Sequence, residues 1–169
     1  MSRASAVVLA AGEASRFGSP KQLLLLPPVL TALAASPVDE IVVVEGAYAV
    51  GDIGTRVVFC PDWAKGPGAS LRCGLRALGD DVAAAVVVLA DGPMLAPAAV
   101  ERVLGAWRDS GAPVVAASYG DARGHPLVLG RNAWADVPDD GLRGHDVLLV
   151  PCDDLGSPGD VDTPDDLPA

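Results

Sequence analysis

A loop with two glycines and two cationic residues follows the first apolar run of the chain, which ends at Leu9. Its candidate residues are Gly12, Arg16, Gly18 and Lys21. Glycine lets backbone amides approach an anion closely, and arginine and lysine supply the positive charge that a triphosphate needs. Five residues separate the two glycines, so the loop matches neither the Walker pattern nor the dinucleotide pattern G-x-G-x-x-G. The loop alone leaves a phosphate site and an ordinary charged turn as open interpretations.

Aspartates in two other segments are candidates for holding a divalent cation. Asp91 follows the longest apolar run of the chain, where it either caps the helix that begins near Pro97 or holds a cation. Asp160 and Asp162 lie near the C-terminus, and Asp162 has the alternative role of capping a last helix that begins at Pro164. Mg²⁺ prefers one or two carboxylates together with water and substrate phosphates. The aspartates therefore predict a magnesium site beside a bound triphosphate.

Two further loops carry candidate binding residues. Gly68 and Ser70 open a predicted helix whose N-terminus is suited to an anion or a ribose hydroxyl, which predicts contact with a nucleotide. Gly124 and His125 lie in a constrained Gly-His-Pro loop, where the residues alone favour a structural histidine over a catalytic one. Ser70 lacks the Gly-x-Ser-x-Gly frame of a nucleophile elbow, which disfavours covalent hydrolase chemistry.

The elements that must position these residues are predicted by apolar patterning. Continuous apolar runs typical of buried parallel strands span residues 6–9, 41–44, 57–60, 83–90, 113–117 and 147–150. Leucines at 71, 75 and 78 have helical spacing, and a second helix opens at Pro97. This alternation predicts an α/β fold with a doubly wound, mostly parallel sheet, in which ligands bind at the carboxyl ends of the strands.

Composition limits the domain count and the class of partner. A length of 169 residues predicts a single domain over residues 1–169, and 50% hydrophobic with only 4% aromatic residues predicts a core of Ala, Val and Leu. A formal net charge of −10 disfavours nucleic-acid and anionic-membrane partners. No apolar run approaches the ~20 residues of a membrane span, so we expect a cytoplasmic protein.

The three cysteines match no known disulfide or zinc-binding pattern. Cys60, Cys73 and Cys152 are widely spaced and lack a C-x-x-C pair, which disfavours a zinc site. In a cytoplasmic protein this pattern predicts buried free thiols and no disulfide bond.

Five ordered motifs resemble those of the nucleotidyltransferases related to molybdenum cofactor cytidylyltransferase. They comprise Leu9–Gly12 with Arg16–Lys21, Pro61–Gly66 with Ser70-Leu71, Ala90–Pro93, Gly124–Pro126 and Asp160–Leu167. The resemblance covers nearly the whole chain and implies a Rossmann-like three-layer sandwich of the nucleotide-diphospho-sugar transferase type. It also implies Mg²⁺-dependent transfer of CMP from CTP to the terminal phosphate of molybdopterin, with release of pyrophosphate.

The resemblance also implies residue roles. The positions carried over are Leu9, Ala10, Ala11 and Gly12 for the nucleotide, Arg16 and Lys21 for its phosphates, Asp91 with Asp160 or Asp162 for Mg²⁺, and Gly124 and His125 for the acceptor. Arg16 and Lys21 would be catalytic, because cations stabilise the charge that builds up on the phosphates during in-line attack.

The chain departs from the family pattern at three places. Leu23–Leu26 runs directly into Pro27-Pro28, which indicates a shortened first crossover, and residues 47–55 are too few for the usual helix. Gly92 stands where the cytidylyltransferases commonly have glutamine.

Two alternatives remain open. One is a guanylyltransferase of the same superfamily that acts on molybdopterin or a phospholactate-type acceptor. Ala11 disfavours it, because the related guanylyltransferases usually have a second glycine there, and Pro20 disfavours it because they lack a proline before the lysine. The other is a non-catalytic factor that delivers molybdenum cofactor to a client molybdoenzyme, which the shortened crossovers would suit.

Overall fold

The computed structural model describes residues 3–12, 21–142 and 145–159, with the backbone alone at 21–23. Arg16, Asp160 and Asp162 lie outside the described residues, as does the predicted C-terminal helix.

Seven strands form one sheet in the order β3-β2-β1-β4-β6-β5-β7. They are β1 (Arg3–Ala10), β2 (Ile41–Glu45), β3 (Arg56–Phe59), β4 (Val82–Leu89), β5 (Val114–Tyr119), β6 (Ala122–Gly130) and β7 (Leu148–Pro151). All pairs are parallel except those of β6, which is antiparallel to both β4 and β5. The mostly parallel α/β sheet predicted from the apolar runs is confirmed.

Strand β6 has no counterpart among the predicted strands. Its Pro126 argues against a central strand, because proline cannot donate to the ladder. The pairing with β5 explains how the strand forms nevertheless. Ala116 pairs with Leu127 and Ser118 with Arg123, so three residues of β6 stand opposite one residue of β5. Proline is tolerated in such a bulge.

Three α-helices cover the sheet: α1 (Lys21–Ala34), α2 (Pro67–Arg76) and α3 (Pro97–Ser110). Short 3₁₀ turns occupy Trp63–Lys65, Arg131–Asp136 and Asp153–Leu155. Helices α1 and α3 supply Leu33 and Leu104 to the apolar cluster on one face of the sheet, and α2 supplies Leu71 and Leu75 to the cluster on the other. The resulting three layers match the predicted architecture. No helix in the described ranges is both long and apolar enough to cross a bilayer.

Helix α1 continues through Pro27 and Pro28. A proline inside a helix removes a hydrogen bond and costs about 3 kcal/mol, which is why the run before these residues does not predict a helix. Both prolines are exposed, whereas Leu26, Val29 and Leu33 are buried at helical spacing. Burial of this face offsets the cost. By contrast, residues 47–55 contain no helix, as predicted.

Cys60 and Cys73 form a disulfide bond, so the prediction of free thiols at these two positions is wrong. Cys60 is fully buried directly after β3, and Cys73 lies on α2, which packs over that end of the sheet. Their Cα atoms are 5.8 Å apart although 13 positions separate them in the chain. Packing of α2, which residue spacing does not reveal, brings the two sulfurs together. Cys152 is a buried free thiol, as predicted.

Candidate functional site

A cleft of about 530 Å³ opens at the carboxyl edge of the sheet. Its lining includes Leu9 at the end of β1, the end of β4, Tyr119 at the end of β5, and residues 122–125 and Leu127 of β6. Because β6 is antiparallel to its neighbours, its amino end lies at the same edge as the carboxyl ends of β4 and β5. This arrangement places the predicted β1, β4 and Gly-His-Pro segments around one cavity.

The end of β1 forms one side of this edge. Leu9 lines the cleft, Ala10 and Ala11 are buried, and a Cβ on the exposed Gly12 would meet nothing within 4 Å. The Ala90 amide donates to the Leu9 carbonyl at 3.1 Å, which ties the ends of β1 and β4 together. Lys21 is the first residue of α1, and its side chain lies outside the described part of the chain. The nucleotide-binding and catalytic roles of this segment stay predictions.

Asp91 lies half-buried in the turn after β4. It does not cap α3, because the N-cap residue is Ala96 and the cap lacks a side-chain hydrogen bond. The helix-capping alternative is therefore wrong. The charge of Asp91 opposes the lowering of the His125 pKa, so the predicted metal ligand lies within electrostatic reach of the predicted acceptor residue.

Residues 157–159 return to the same turn. The Met94 amide donates to the Pro158 carbonyl at 3.0 Å. A Cβ placed on Gly92 would lie 3.1 Å from the Pro158 Cβ and 3.3 Å from the Gly159 carbonyl oxygen. A glutamine at position 92 would therefore displace the returning chain. Gly159 is the last described residue before Asp160, so the described chain stops beside Gly92.

Within the described ranges, no three His, Cys, Asp or Glu side chains converge on one point. Among the described residues, Asp91 supplies the carboxylate in the turn after β4. It directly precedes Gly92, which Gly159 approaches. A single carboxylate suits Mg²⁺, which takes its remaining ligands from water and substrate phosphates. The ligand chemistry of the site thus fits magnesium. Metal binding by Asp160 or Asp162 stays a prediction.

The bulge of β6 shapes the opposite side of the cleft. It consists of Gly124, His125 and Pro126, and such bulges commonly re-aim a side chain next to an active site. The Tyr119 hydroxyl donates to the His125 carbonyl at 2.8 Å. A Cβ on Gly124 would lie 3.0 Å from the Tyr119 ring, so a larger residue at 124 would press against this ring. Burial raises the pKa of Tyr119 to about 12, which keeps the hydroxyl protonated as a donor.

His125 is neutral at physiological pH. Burial lowers its pKa to about 4; the charge of Asp91 opposes this shift, and the charge of Arg123 adds to it. A neutral imidazole has one N–H donor and one acceptor nitrogen, which suits a polar contact better than a charged one. The structure places Gly124 and His125 in the cleft, whereas their contact with an acceptor stays a prediction.

The start of α2 is covered by residues 137–142. The Gly68 amide donates to the Asp139 carbonyl at 2.8 Å, and a Cβ on Gly68 would lie 1.6 Å from the Pro138 oxygen. Gly66 has a φ of 137° and would meet the Asp139 oxygen at 2.3 Å. The close contact with the backbone of residues 138 and 139 therefore explains why both positions are glycine. Ser70 is buried in the same helix, and nucleotide binding by Gly68 and Ser70 stays a prediction.

Two arginines near the cleft escape a motif-based search. Arg123 lines the cleft and binds backbone carbonyls at 142 and 145, and Arg72 on α2 binds the Val137 carbonyl and the Asp139 carboxylate. The position of Arg123 directly before Gly124-His125 was the one available signal. Arg72 follows the glycine-rich opening of α2, where the sequence alone suits a solvated helix residue equally well.

Three solved structures have a fold similar to that of this chain. Rv0371c of Mycobacterium tuberculosis H37Rv is 29% identical, with a TM-score of 0.83 over 98% of this chain and 95% of that chain. A nucleotidyl transferase of Methanothermobacter thermautotrophicus is 23% identical, with a TM-score of 0.77 over 97% and 94%. Molybdopterin-guanine dinucleotide biosynthesis protein A of Archaeoglobus fulgidus is 18% identical, with a TM-score of 0.68 over 96% and 94%. The last two show the fold alone.

Sequence comparison identifies the protein family of this chain. No curated protein sequence matches this chain significantly. The family model for the MobA-like NTP transferase domain matches residues 6–149, which include the β1, β4 and β6 segments around the cleft. With that match over most of its length, the chain belongs to the MobA-like NTP transferase family and is a nucleotidyltransferase of that superfamily.

Proposed function

We propose that this protein transfers CMP from CTP to the terminal phosphate of molybdopterin and releases pyrophosphate. The observation that carries the proposal is that the turn after β4, in which Asp91 precedes the lining residue Gly92, and the Gly124-His125 bulge border one cleft at the carboxyl edge of the sheet. A transferase of this kind must bring a metal-bound triphosphate next to a second substrate. The cleft has a predicted nucleotide side at β1 and a predicted acceptor side at β6, with β4 and Asp91 between them.

The proposed reaction needs no covalent enzyme intermediate. A terminal phosphate oxygen of molybdopterin attacks the α-phosphorus of CTP, the bond from that phosphorus to the bridging oxygen breaks, and pyrophosphate leaves. Arg16 and Lys21 would neutralise charge on the phosphates, and neutral His125 would orient the acceptor through a hydrogen bond. Tyr119 holds the His125 backbone in place. The acceptor phosphate is already ionised, so the chain does not have to supply a general base.

Asp91, with Asp160 or Asp162, would hold Mg²⁺ in this scheme. The metal would supply charge neutralisation for the triphosphate. Support comes from the half-buried position of Asp91 and from the approach of Gly159 to the neighbouring Gly92. Rv0371c has been solved in complex with manganese, which supports divalent-metal binding by a similar protein.

The choice of CTP rests on the resemblance at Ala11. The Ala11 side chain is buried in the apolar cluster that packs against α2, and its carbonyl accepts a hydrogen bond from the Ala47 amide at 3.0 Å. Any influence of Ala11 on the base would therefore act through the backbone of the loop. A client molybdoenzyme, cytoplasmic residence and the identity of the acceptor stay predictions.

Pyrophosphate release tests the proposal directly. With Mg²⁺ and molybdopterin, we expect faster release from CTP than from GTP, ATP or UTP. Asp91→Asn should reduce the rate at least about 100-fold, because loss of a metal-holding charge removes several kcal/mol of transition-state stabilisation. The matched control is Asp109→Asn, which alters an exposed carboxylate near the end of α3 and should leave the rate unchanged.

Each alternative has its own outcome. Faster release from GTP would replace the cytidylyl assignment by the guanylyl one, and equal rates with all four nucleotides would refute a base-specific enzyme. Binding of molybdopterin without turnover, unaffected by Asp91→Asn, would instead support a delivery factor.

A further inference from the structure

Residues 137–142, here called the wall loop, form one side of the cleft. The loop follows the 3₁₀ turn Arg131–Asp136, and its residues Asp140, Gly141 and Leu142 line the cavity. Val137 and Leu142 are buried in the apolar cluster on the α2 face, so both ends of the loop are anchored by packing. The residues between them have an irregular backbone whose polar groups need partners.

Helix α2 supplies partners for the first half of the wall loop. Arg72 donates from Nη1 to the Val137 carbonyl at 2.8 Å and from Nη2 to the Asp139 carboxylate. The Gly68 amide donates to the Asp139 carbonyl at 2.8 Å. Arg72 is separated from these partners by 65 and 67 positions in the chain, so the contacts join distant segments.

Strand β6 supplies partners for the second half. Arg123 donates from Nη2 to the Leu142 carbonyl and from Nη1 to the His145 carbonyl at 3.2 Å. The guanidinium presents several donors in a fixed fork, so one side chain can hold two carbonyl groups at once. Arg123 directly precedes Gly124 and His125, so the same strand carries the bulge and the anchor of the wall loop.

We infer that Arg72 and Arg123 are positioning residues that fix the wall loop from opposite sides and thereby set the affinity of the cleft for both substrates. The inference rests on the proposed function for the identity of those substrates. The wall loop covers the start of α2 at Gly68, a predicted nucleotide residue, and Arg123 ties it to the strand that carries the predicted acceptor residues. Loosening the loop therefore changes the shape of the cleft on both sides.

The test uses Arg72→Gln and Arg123→Gln, with Arg76→Gln as the matched control. Arg76 is exposed one turn further along α2, and its described hydrogen bond goes to the Sγ of Cys73. Each of the two variants should raise the KM for molybdopterin and the KM for CTP about tenfold, as expected for loss of charge-assisted hydrogen bonds. Arg76→Gln should change either KM by less than about twofold.

Hydrogen exchange of the substrate-free protein supplies the second readout. Amides of residues 137–142 should exchange about tenfold faster in both variants than in the wild type or in Arg76→Gln, because local opening becomes easier. Arg123 lines the cleft and Arg72 acts from α2, so an effect of Arg123→Gln alone would indicate direct substrate contact and overturn the inference. Unchanged exchange, or unchanged KM values for both substrates in the two variants, would also overturn it.

The two proposals fail in different ways. If the wild-type protein shows no acceptor-dependent pyrophosphate release, the proposed function fails. The exchange rates of the wall loop then decide by themselves whether the arginines fix it.

Discussion

Asp91 follows β4 in the turn next to the cleft, and His125 lines the cleft from the neighbouring, antiparallel strand β6. Each residue is conspicuous in the sequence, Asp91 as a carboxylate after a long apolar run and His125 within Gly-His-Pro. The sequence does not reveal that the two residues lie near each other, because their proximity depends on the antiparallel pairing of β4 with β6. The pairing also explains why His125 is neutral, since the bulge places its ring in a desolvated position.

The lowered pKa of His125 makes stability depend on pH. Between about pH 6.5 and 4 the unfolded chain binds a proton at His125 and the folded chain does not, so stability falls as the pH decreases through this window. The loss reaches about 2 to 3 kcal/mol near pH 4. His125→Gln should remove this component, and urea unfolding at pH 7 and pH 4.5 measures it.

The control for this measurement is His145→Gln, which removes the second histidine of the chain. Identical losses of unfolding free energy in His125→Gln and the wild type would contradict the prediction.

The glycines at the start of α2 show how one residue type supports two interpretations. A glycine-rich helix start predicts an anion site, because glycine exposes backbone amides. In the structure, Gly66 and Gly68 accommodate the backbone of the wall loop, and the Gly68 amide already has a carbonyl partner. Sequence alone does not separate these interpretations, since both require the absence of a Cβ.

At the scale of elements, α2 packs directly on the sheet through Gly74. A Cβ at this position would lie 2.5 Å from Val7 Cγ1 and 2.9 Å from Val44 Cγ2. Gly74→Ala should therefore destabilise the protein by about 1 to 3 kcal/mol, although alanine favours a helix. Chemical unfolding measures the change.

Gly105 in α3 provides the matched control, because a Cβ there meets nothing within 4 Å. Gly105→Ala should stabilise the protein by up to about 1 kcal/mol through helix propensity alone. Stabilisation by both substitutions would show that α2 does not lie as close to β1 and β2 as described.

The disulfide between Cys60 and Cys73 joins the end of β3 to α2. A loop of this size contributes about 3 kcal/mol by restricting the unfolded chain. A reductant should therefore lower the thermal midpoint of the wild type, and it should leave the midpoint of Cys60→Ala/Cys73→Ala unchanged. Thermal unfolding followed by circular dichroism measures both effects.

Thiol titration of the denatured, unreduced protein provides the independent check. One free thiol, from Cys152, is expected. Detection of all three cysteines as thiols would contradict the pairing.

Helix α1 illustrates tertiary override of local preference. Local rules place a helix break at Pro27 and Pro28, yet the helix spans Lys21–Ala34 because its buried residues pack against the sheet. The recurrence of Leu26, Val29 and Leu33 at helical spacing is the feature of the sequence that favours a helix here, although the two prolines oppose it.

At the scale of the whole molecule, all seven described strands belong to one sheet with apolar clusters on both faces. If residues 1–169 form a single domain, as predicted, unfolding should be one cooperative transition. Far-ultraviolet circular dichroism and tryptophan fluorescence should then give coincident urea midpoints. Trp63, Trp107 and Trp134 report from different parts of the chain. Separate midpoints would contradict the single-domain prediction.

The sequence by itself determined the parallel part of the sheet, the strand-end positions of Leu9 and Asp91, and the start of α3 at Pro97. These features depend on contiguous apolar runs and short motifs, which act locally. Only the tertiary structure decided the strand β6, the disulfide and the arginine contacts of the wall loop. Each of these joins segments that are distant in the chain, and their proximity follows from how helices and loops pack on the sheet.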